Sequence, residues 1–512
     1  MSVLESNWTL SAQESAAAVD GKLELIGGGG LTDSVFHGVG TDTRVDLSSL
    51  LFFALVGDAH DAHRFLKDAI SKNAAGLVVH RALTPEEVAA CEEQSRISGM
   101  PVAIILVKDT LLALQQLSRH WRMKCPAMVL GITGTNGKTS TKEFAAAIIS
   151  SRFKVQWSKG SFNNHWGVPI SLLSIRPNDE VAVIEMGMNH IGELKTLSRL
   201  VEANAVVCTM VGRGHLEGVG SVEGVALAKS EIYSEAPRTA TFIFNLDNEH
   251  TVSMMSRFAA PSEEGRSGRR TVTFGAAAGD VSLRVTSMDA DSIHIEGEIR
   301  GVEGHAVIPV YGKHNVTNLM AAASLALVAG MSPQEIWKAL PLCRSAWGRN
   351  QWVHLKSGAR AMFDGYNANP ESMQAALENA KLLSVDGRRV AVLGEMRELG
   401  DFAASAHEEL GRLARDVGFA EVIFLGPSAG DFARGFESVD GGAKVGAPGG
   451  ASGGAPVRAK SLLKTMASFD PAVAADLKTR LVPGDFVLIK GSRGMSLETF
   501  LKGLDPTDFK SK

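Results

Sequence analysis

The ten residues Gly131-Ile132-Thr133-Gly134-Thr135-Asn136-Gly137-Lys138-Thr139-Ser140 hold the densest chemical information in the chain. They follow an apolar run, Met128-Val129-Leu130, and precede a helical pattern from Thr141 to Ile149. Strand, glycine-rich turn and helix in that order make a phosphate cradle. Glycine lets the backbone wrap its N–H groups around an anion, and the helix adds the positive end of its dipole. Lys138 is then placed to reach the outer phosphates of a nucleotide, and Thr139 to offer its hydroxyl to Mg²⁺. Gly134, Thr135, Asn136, Gly137 and Ser140 complete the cradle. Because position 132 is Ile, the string departs from the general G-x-x-x-x-G-K-[ST] pattern and has the tighter form Gly-Thr-Asn-Gly-Lys-Thr. The plain alternative is an ordinary glycine turn ahead of a helix.

A metal on such a cradle needs ligands beyond one hydroxyl. Glu185 ends an apolar strand in Ile184-Glu185-Met186-Gly187, where nucleotide-binding sheets place a metal-holding acid. Taken alone it is equally an acid facing water. His215, in Gly214-His215-Leu216-Glu217, follows the next strand and could hold a second metal; a lone loop histidine is more often simply solvated. Lys229, in Ala228-Lys229-Ser230-Glu231, reads on its own as a solvent-facing helix lysine.

The elements that position these residues divide the 512-residue chain into about three domains, since one core does not grow that large. The first, 1–124, has a helix from Thr9 to Val19 with Ser11 and Glu14 spaced as a capping box. Short strands at Leu51 to Leu55 and Gly76 to Val79 flank a helical run from Ala62 to Lys72, the pattern of a small α/β domain. The second, 125–345, alternates strands at Val181 to Ile184, Ala205 to Thr209 and Thr241 to Phe244 with helices such as Ser221 to Glu235, as in a parallel sheet covered by helices. Thr271 to Val310 alternates without a helix period and reads as an antiparallel β insertion, preceded by an exposed loop from Ala260 to Arg270. In the third, 346–512, three apolar runs end in Gly394, Gly426 and Gly491, which suggests a Rossmann-like open α/β sheet with ligands at its carboxyl edge. Ser438 to Gly454, rich in Gly and Ala, reads as a surface loop without chemistry.

Bulk composition narrows the partners. The chain is 45% apolar and 21% charged, the balance of a globular enzyme, and its net charge of −4 argues against nucleic acid. Cys91, Cys125, Cys208 and Cys343 form no C-x-x-C pair, which fits a reducing compartment rather than a zinc or disulfide framework. The N-terminal residues have no signal-peptide pattern, and no apolar run approaches the ~20 residues that cross a bilayer. A cytoplasmic chain without membrane insertion is expected.

The glycine string resembles the phosphate loop of the Mur ligases and their folylpolyglutamate synthetase relatives. Further blocks carry the resemblance in order along nearly the whole chain: Ser161-Phe162-Asn163-Asn164-His165-Trp166-Gly167-Val168-Pro169, Glu185-Met186-Gly187-Met188-Asn189-His190, His215-Leu216-Glu217-Gly218 and Ala228-Lys229-Ser230-Glu231-Ile232. Gly312-Lys313-His314-Asn315-Val316-Thr317-Asn318, Asp364-Gly365-Tyr366-Asn367-Ala368-Asn369-Pro370, Leu393-Gly394-Glu395-Met396-Arg397-Glu398-Leu399-Gly400 and Lys490-Gly491-Ser492-Arg493-Gly494-Met495 follow. The chain is identified by these as a member of the Mur ligase family, most similar to its members that add a D-alanyl-D-alanine dipeptide.

That resemblance implies an ATP-dependent ligase of peptidoglycan precursor synthesis. Its small-molecule substrates would be UDP-N-acetylmuramoyl-tripeptide and D-alanyl-D-alanine, joined through an acyl phosphate, and the enzyme a monomer. It assigns Lys138 and Thr139 to phosphate and Mg²⁺, and Glu185 and His215 to metal binding, with two Mg²⁺ ions in all. Lys229 matches a lysine that the family carbamylates with CO₂. Asn315 and Asn318 would contact adenine, and Arg349 and Asp364 would reach ATP. Thr41-Asp42-Thr43-Arg44 resembles the uridine-binding loop, while Asn163, Asn164, Asn189, His190, Tyr366, Asn367 and Asn369 would serve the substrates. Phe363-Asp364-Gly365 departs from the family's Asp-Asp-Ser, Glu395 stands for an Asp, and Asp61-Ala62-His63 for Asp-Gly-His. The nearest rival, the family's third-residue-adding ligase, typically carries Asp-Tyr-Ala-His-x-Pro or Asp-Asn-Pro-Arg blocks; this chain reads Tyr366-Asn367-Ala368-Asn369-Pro370. A nucleotide switch that hydrolyses ATP to change shape is the alternative of another class.

Overall fold

Three sheets, each built from one contiguous stretch of chain, carry the architecture. The structure, a computed structural model, describes residues 8–28, 33–57, 60–259, 270–289, 291–438 and 461–510. The first sheet comprises β1 (Lys22–Ile26), β2 (Val39–Gly40), β3 (Leu51–Phe53), β4 (Gly76–Val79) and β5 (Val102–Leu106), in the order β1-β5-β4-β3-β2. Only the β1–β5 pair is antiparallel. Helix α1 (Thr110–Lys124) leads out of this sheet, capped by the Asp109 carboxylate.

The second sheet has nine strands. They are β6 (Met128–Thr133), β7 (Val155–Trp157), β8 (Val181–Glu185), β9 (Ala205–Cys208), β10 (Thr241–Asn245), β11 (Thr271–Phe274), β12 (Val281–Met288), β13 (Ile293–Ile299) and β14 (Val302–Ile308). Their order is β14-β13-β12-β11-β10-β9-β6-β8-β7. β6 thus lies between β8 and β9, at the point where the chain turns from building one side of the sheet to building the other. Open α/β sheets form their ligand crevice at such a switch point, beyond the carboxyl ends of the strands. Helix α2 (Lys138–Ile149) follows β6 directly, and α3 (Val222–Ser234) and α4 (Asn315–Val328) are further helices of the same stretch.

The third sheet comprises β15 (Gln351–His354), β16 (Arg360–Asp364), β17 (Arg389–Gly394), β18 (Glu421–Leu425), β19 (Leu462–Met466) and β20 (Phe486–Lys490), ordered β15-β16-β20-β17-β18-β19. All pairs but β15–β16 are parallel. Helices α5 (Pro370–Leu382) and α6 (Ala403–Val417) belong to this part.

Several expectations need correction. Thr271 to Val310 carries strands without a helix, as expected, but only its later strands pair antiparallel with one another. β11 pairs in parallel with β10, and β12 to β14 continue the central sheet as an antiparallel extension. The N-terminal helix begins at Ala12, not Thr9, because Leu10–Ser11 is drawn into pairing with Val35–Phe36. Ser11 Oγ does accept from Glu14 N, but the Glu14 carboxylate turns to His120 and Lys124, so half of the capping box is used elsewhere. The run from Ala62 splits into a 3-10 turn, Ala62–Phe65, and a helix, Leu66–Ser71, and the strand at Leu51 stops at Phe53. The loop expected at Ala260 to Arg270 lies outside the described residues except for Arg270, and that at Ser438 to Gly454 except for Ser438.

Two tryptophans fasten the first segment to the second. Trp8 Nε1 donates to Leu173 O at 2.7 Å and Trp121 Nε1 to Ile175 O at 2.9 Å, with the two rings 5.3 Å apart. Both indoles are buried, so their N–H groups need such partners. Trp8→Ala should lower unfolding stability by about 3–5 kcal/mol, as large-to-small changes at buried aromatics do. Denaturant titration checks this; a loss under about 1 kcal/mol contradicts the anchoring role.

Candidate active site

The phosphate loop is shaped by close backbone approaches. Gly134 has φ +147°, and a Cβ there would fall 1.9 Å from Thr209 Oγ1. Gly137 has φ +84°, and a Cβ there would fall 2.2 Å from Asn318 Oδ1. Only glycine meets both demands. The loop is braced from the end of β9: Thr135 N donates to Met210 O at 2.8 Å, Gly212 N to Thr135 Oγ1 at 3.0 Å, and Thr209 Oγ1 to Asn136 O at 2.5 Å. α2 begins at Lys138, three residues earlier than its periodicity suggests, so its free N–H groups face the loop. Lys138 Nζ folds back onto the carbonyls of Gly134 and Thr135, at 2.7 and 3.2 Å. Burial pushes this ammonium below its usual range, and the Glu185 charge opposes that shift. Ser140 follows on the helix, half-buried.

Glu185 ends β8 directly across from Ile132 of β6. It is wholly buried, which overturns the reading of an acid facing water. Its Oε1 accepts from Asn163 Nδ2 at 2.8 Å and from the Thr139 hydroxyl at 3.2 Å. Its Oε2 has no hydrogen-bond partner among the described residues and lies 3.7 Å from Lys142 Nζ.

Lys229 is also wholly buried, which corrects the solvent-facing reading. α3 buries Val225, Ala228, Lys229, Ser230, Ile232 and Tyr233. Burial, with repulsion from Lys138, pushes the Lys229 amine down to about 7, and its Nζ has no hydrogen-bond partner among the described residues.

His215 adopts φ +61° at the start of a short helix and is mostly buried. Burial lowers its pKa, against the pull of Glu398, whose Oε2 stands 2.6 Å from Nδ1. The sequence reading placed Glu398 in a motif without a role; its contact lies beyond any local pattern.

The third part of the chain reaches this site through paired amides. Asn136 Nδ2 donates to Asn369 Oδ1 at 3.1 Å, and Asn369 Nδ2 returns a bond to Asn136 Oδ1 at 2.8 Å. Asn369 also caps α5, accepting from Ser372 N at 3.0 Å. Arg213 binds Glu371 and Glu409, each at 2.9 Å. A cleft of about 180 Å³ opens between these parts, lined by His215, Asn367, Asn369, Arg397, Glu398 and Arg493 among others. Such clefts at the junction of two α/β units are where small ligands bind.

Other expected residues have more local duties. Asn315 Nδ2 bonds Tyr311 O at 2.8 Å and Asn318 Nδ2 bonds Asn315 Oδ1 at 3.1 Å, which sets Asn318 over Gly137. Asp364 takes Lys490 Nζ at 2.6 Å, a lysine that also bonds Asn367 O at 3.2 Å. The Arg349 guanidinium lies 4.7 Å from the Tyr366 ring centre. Asn164 Oδ1 accepts from Gly167 N at 2.9 Å. Asn189 and His190 are exposed and both contact Glu193, at 2.8 and 2.9 Å. The Thr41 to Arg44 loop ends β2 in the first sheet, where Arg44 grips Asp42 from Nε at 2.8 Å and Nη2 at 2.6 Å. Lys142, which the sequence reading passed over, is wholly buried beside Glu185.

Comparison with known proteins gives the family. Residues 132–326 match the Mur ligase middle domain, and residues 348–493 the Mur ligase glutamate ligase domain. The UDP-N-acetylmuramoyl-tripeptide–D-alanyl-D-alanine ligase of Bacillus subtilis (strain 168) is 33% identical over 92% of this chain and 93% of its own. The Escherichia coli (strain K12) ligase of the same name is 33% identical over 77% of this chain and 82% of its own. Among solved structures, MurF from Acinetobacter baumannii superposes with a TM-score of 0.80 at 27% identity, covering 97% of this chain and 99% of that one. The Thermotoga maritima MurF, solved with ADP, shares the fold with a TM-score of 0.71 at 23% identity, covering 91% and 96%. The chain belongs to the Mur ligase family, among its UDP-N-acetylmuramoyl-tripeptide–D-alanyl-D-alanine ligases.

Proposed function

We propose that the chain joins D-alanyl-D-alanine to UDP-N-acetylmuramoyl-tripeptide, cleaving ATP to ADP and phosphate, in cytoplasmic peptidoglycan precursor synthesis. The observation that carries this reading is the meeting of the phosphate loop, Glu185 and the cleft around His215 at one sheet edge. A carboxylate oxygen of the tripeptide attacks the terminal phosphorus of ATP, and ADP leaves. The dipeptide amine then attacks the acyl carbon, and phosphate leaves. The first step presses one anion onto another. Two unit charges 4 Å apart repel by about 4 kcal/mol at an effective dielectric of 20, and a terminal phosphate carries more than one. Lys138 and the N-terminus of α2 offset part of that, as preorganised charges and dipoles. The acyl phosphate needs protection from water. The paired amides of Asn136 and Asn369 support closure of the third part over the loop as the means.

The residues present fit Mg²⁺. Glu185 Oε2 is a buried carboxylate oxygen without a hydrogen-bond partner among the described residues, 46 positions from a Thr139 hydroxyl that touches its twin oxygen. A carboxylate, a hydroxyl and a neutral imidazole at His215 are hard-cation and borderline donors. Thr139, Glu185, His215 and Lys229 would hold metal, and Mg²⁺ there would screen the phosphate charge. For Lys229 the route is carbamylation: its neutral amine adds to CO₂ and loses a proton, giving an anionic carbamate. A buried amine lowered to about 7 has a substantial neutral fraction near neutral pH, as that addition requires.

Lys138→Ala should cut turnover at least about a hundredfold, the scale for losing one charge-stabilising group, while leaving the melting temperature near that of the parent chain. A folded variant with near-normal turnover, measured as ADP release with both co-substrates, contradicts the role given to Lys138.

The Lys229 reading has its own pH signature. In the folded chain this amine holds its proton only below about 7, and in the unfolded chain up to 10.5. Between those limits unfolding takes up a proton, so Lys229 makes the fold more stable as pH rises. In CO₂-depleted buffer, Lys229→Met should remove that rise. The parent should gain stability relative to the variant as pH climbs from about 7 to about 10. A gap that stays constant over this range contradicts a buried neutral amine.

A further inference from the structure

We propose that Lys142 is a positioning residue for the phosphate-transfer site, holding the Glu185 carboxylate and the 158–163 loop against α2 without occupying the oxygen left for metal. Lys142 stands four positions after Lys138, one helical turn along α2, yet does a different job. Lys138 curls back into its own loop, whereas Lys142 points across the sheet edge and is 0% exposed. Its Nζ donates to Gly160 O, lies 3.0 Å from Glu143 Oε1, and stands 3.7 Å from Glu185 Oε2.

The loop it holds carries most of the Glu185 environment. Ser158 Oγ accepts from Glu185 N at 3.2 Å, Ser161 Oγ stands 3.2 Å from Thr139 Oγ1, and Asn163 Nδ2 donates to Glu185 Oε1 at 2.8 Å. Gly160 sits in the middle of these three side chains, so fixing its carbonyl fixes the set. A buried carboxylate is costly unless a cation accompanies it, and Lys142 is the cation in ion-pair range of Glu185 among the described residues. At 3.7 Å the contact is too long for a hydrogen bond. Charge attraction therefore aims the carboxylate while Oε2 stays open. A lysine bonded directly to that oxygen would block it.

This inference rests on reading Glu185 as a metal ligand, and the test separates the two. Binding of Mn²⁺ to the enzyme–ADP complex is followed by electron paramagnetic resonance, alongside calorimetric binding of ADP in EDTA. Lys142→Met should weaken Mn²⁺ about tenfold or more, the scale for losing a group that orients a metal ligand. Metal-free ADP binding should change less than about twofold, and Lys142→Arg should recover much of the Mn²⁺ affinity. Glu185→Gln runs in parallel. If it weakens Mn²⁺ while Lys142→Met does not, the positioning role is wrong and the ligand reading stands. If Glu185→Gln leaves Mn²⁺ unchanged, the ligand reading fails and this inference with it. A Lys142→Met variant that loses Mn²⁺ and metal-free ADP alike, with a lowered melting temperature, shows a residue of the fold only and also overturns it. Should that variant not fold, Lys142→Gln keeps a donor for Gly160 without the charge. The same loss of Mn²⁺ affinity is expected, and an unchanged affinity is contrary.

Discussion

Positive charge held away from water is the condition around which this site is built. Lys138 and Lys142 stand at the carboxyl edge of the central sheet, and Glu185 is the wholly buried carboxylate beside them. In a poorly solvated interior such a surplus is unfavourable until an anion enters. The loop glycines, the brace from Thr209 and the dipole of α2 all face the same small volume. A polyphosphate satisfies that volume better than any group the chain supplies. Lys138 itself bonds the carbonyls of its own loop.

Topology decides where this charge sits. β6 is flanked by β8 and β9, so the loop leaving β6, the acid ending β8 and the turn leaving β9 share one crevice. The third sheet then adds a wall. Asn136 and Asn369 bond each other reciprocally, Arg213 joins Glu371 and Glu409, and Glu398 meets His215. These contacts are polar, and beside them the buried Tyr311 of the second part packs against Trp352 of the third and donates to Asn379 O at 2.8 Å. The polar contacts suit a surface that parts to admit substrates and closes for chemistry.

Much of the fold was legible because its signals are local. The glycine string, the apolar strands and the Ser221 cap that starts α3 follow from neighbours a few residues away. Long-range pairing was not legible. Nothing between Thr271 and Val310 says that β11 runs parallel beside β10, so only the antiparallel strands after it are legible there. Leu10–Ser11 leaves the first helix for a distant strand partner, as the pairing of Leu10 with Phe36 and Ser11 with Val35 shows. At the site, the burial of Lys229 is not legible from its own neighbours, because an isolated lysine on a helix gives no sign of which face is covered. Lys142 went unseen for the same reason. The Asn136–Asn369 bond joins residues 233 positions apart, and only folding brings their amides together.

The central claim is that the phosphate loop and its lysine bring a substrate carboxylate onto the terminal phosphate of ATP. Its most direct measurement uses UDP-N-acetylmuramoyl-tripeptide with both oxygens of the reacting carboxylate labelled as ¹⁸O. After turnover with ATP and D-alanyl-D-alanine, mass spectrometry of the released inorganic phosphate should find one ¹⁸O atom, carried over when the acyl–oxygen bond of the intermediate breaks. Phosphate that emerges unlabelled, with amide product formed at the normal rate, would contradict the account.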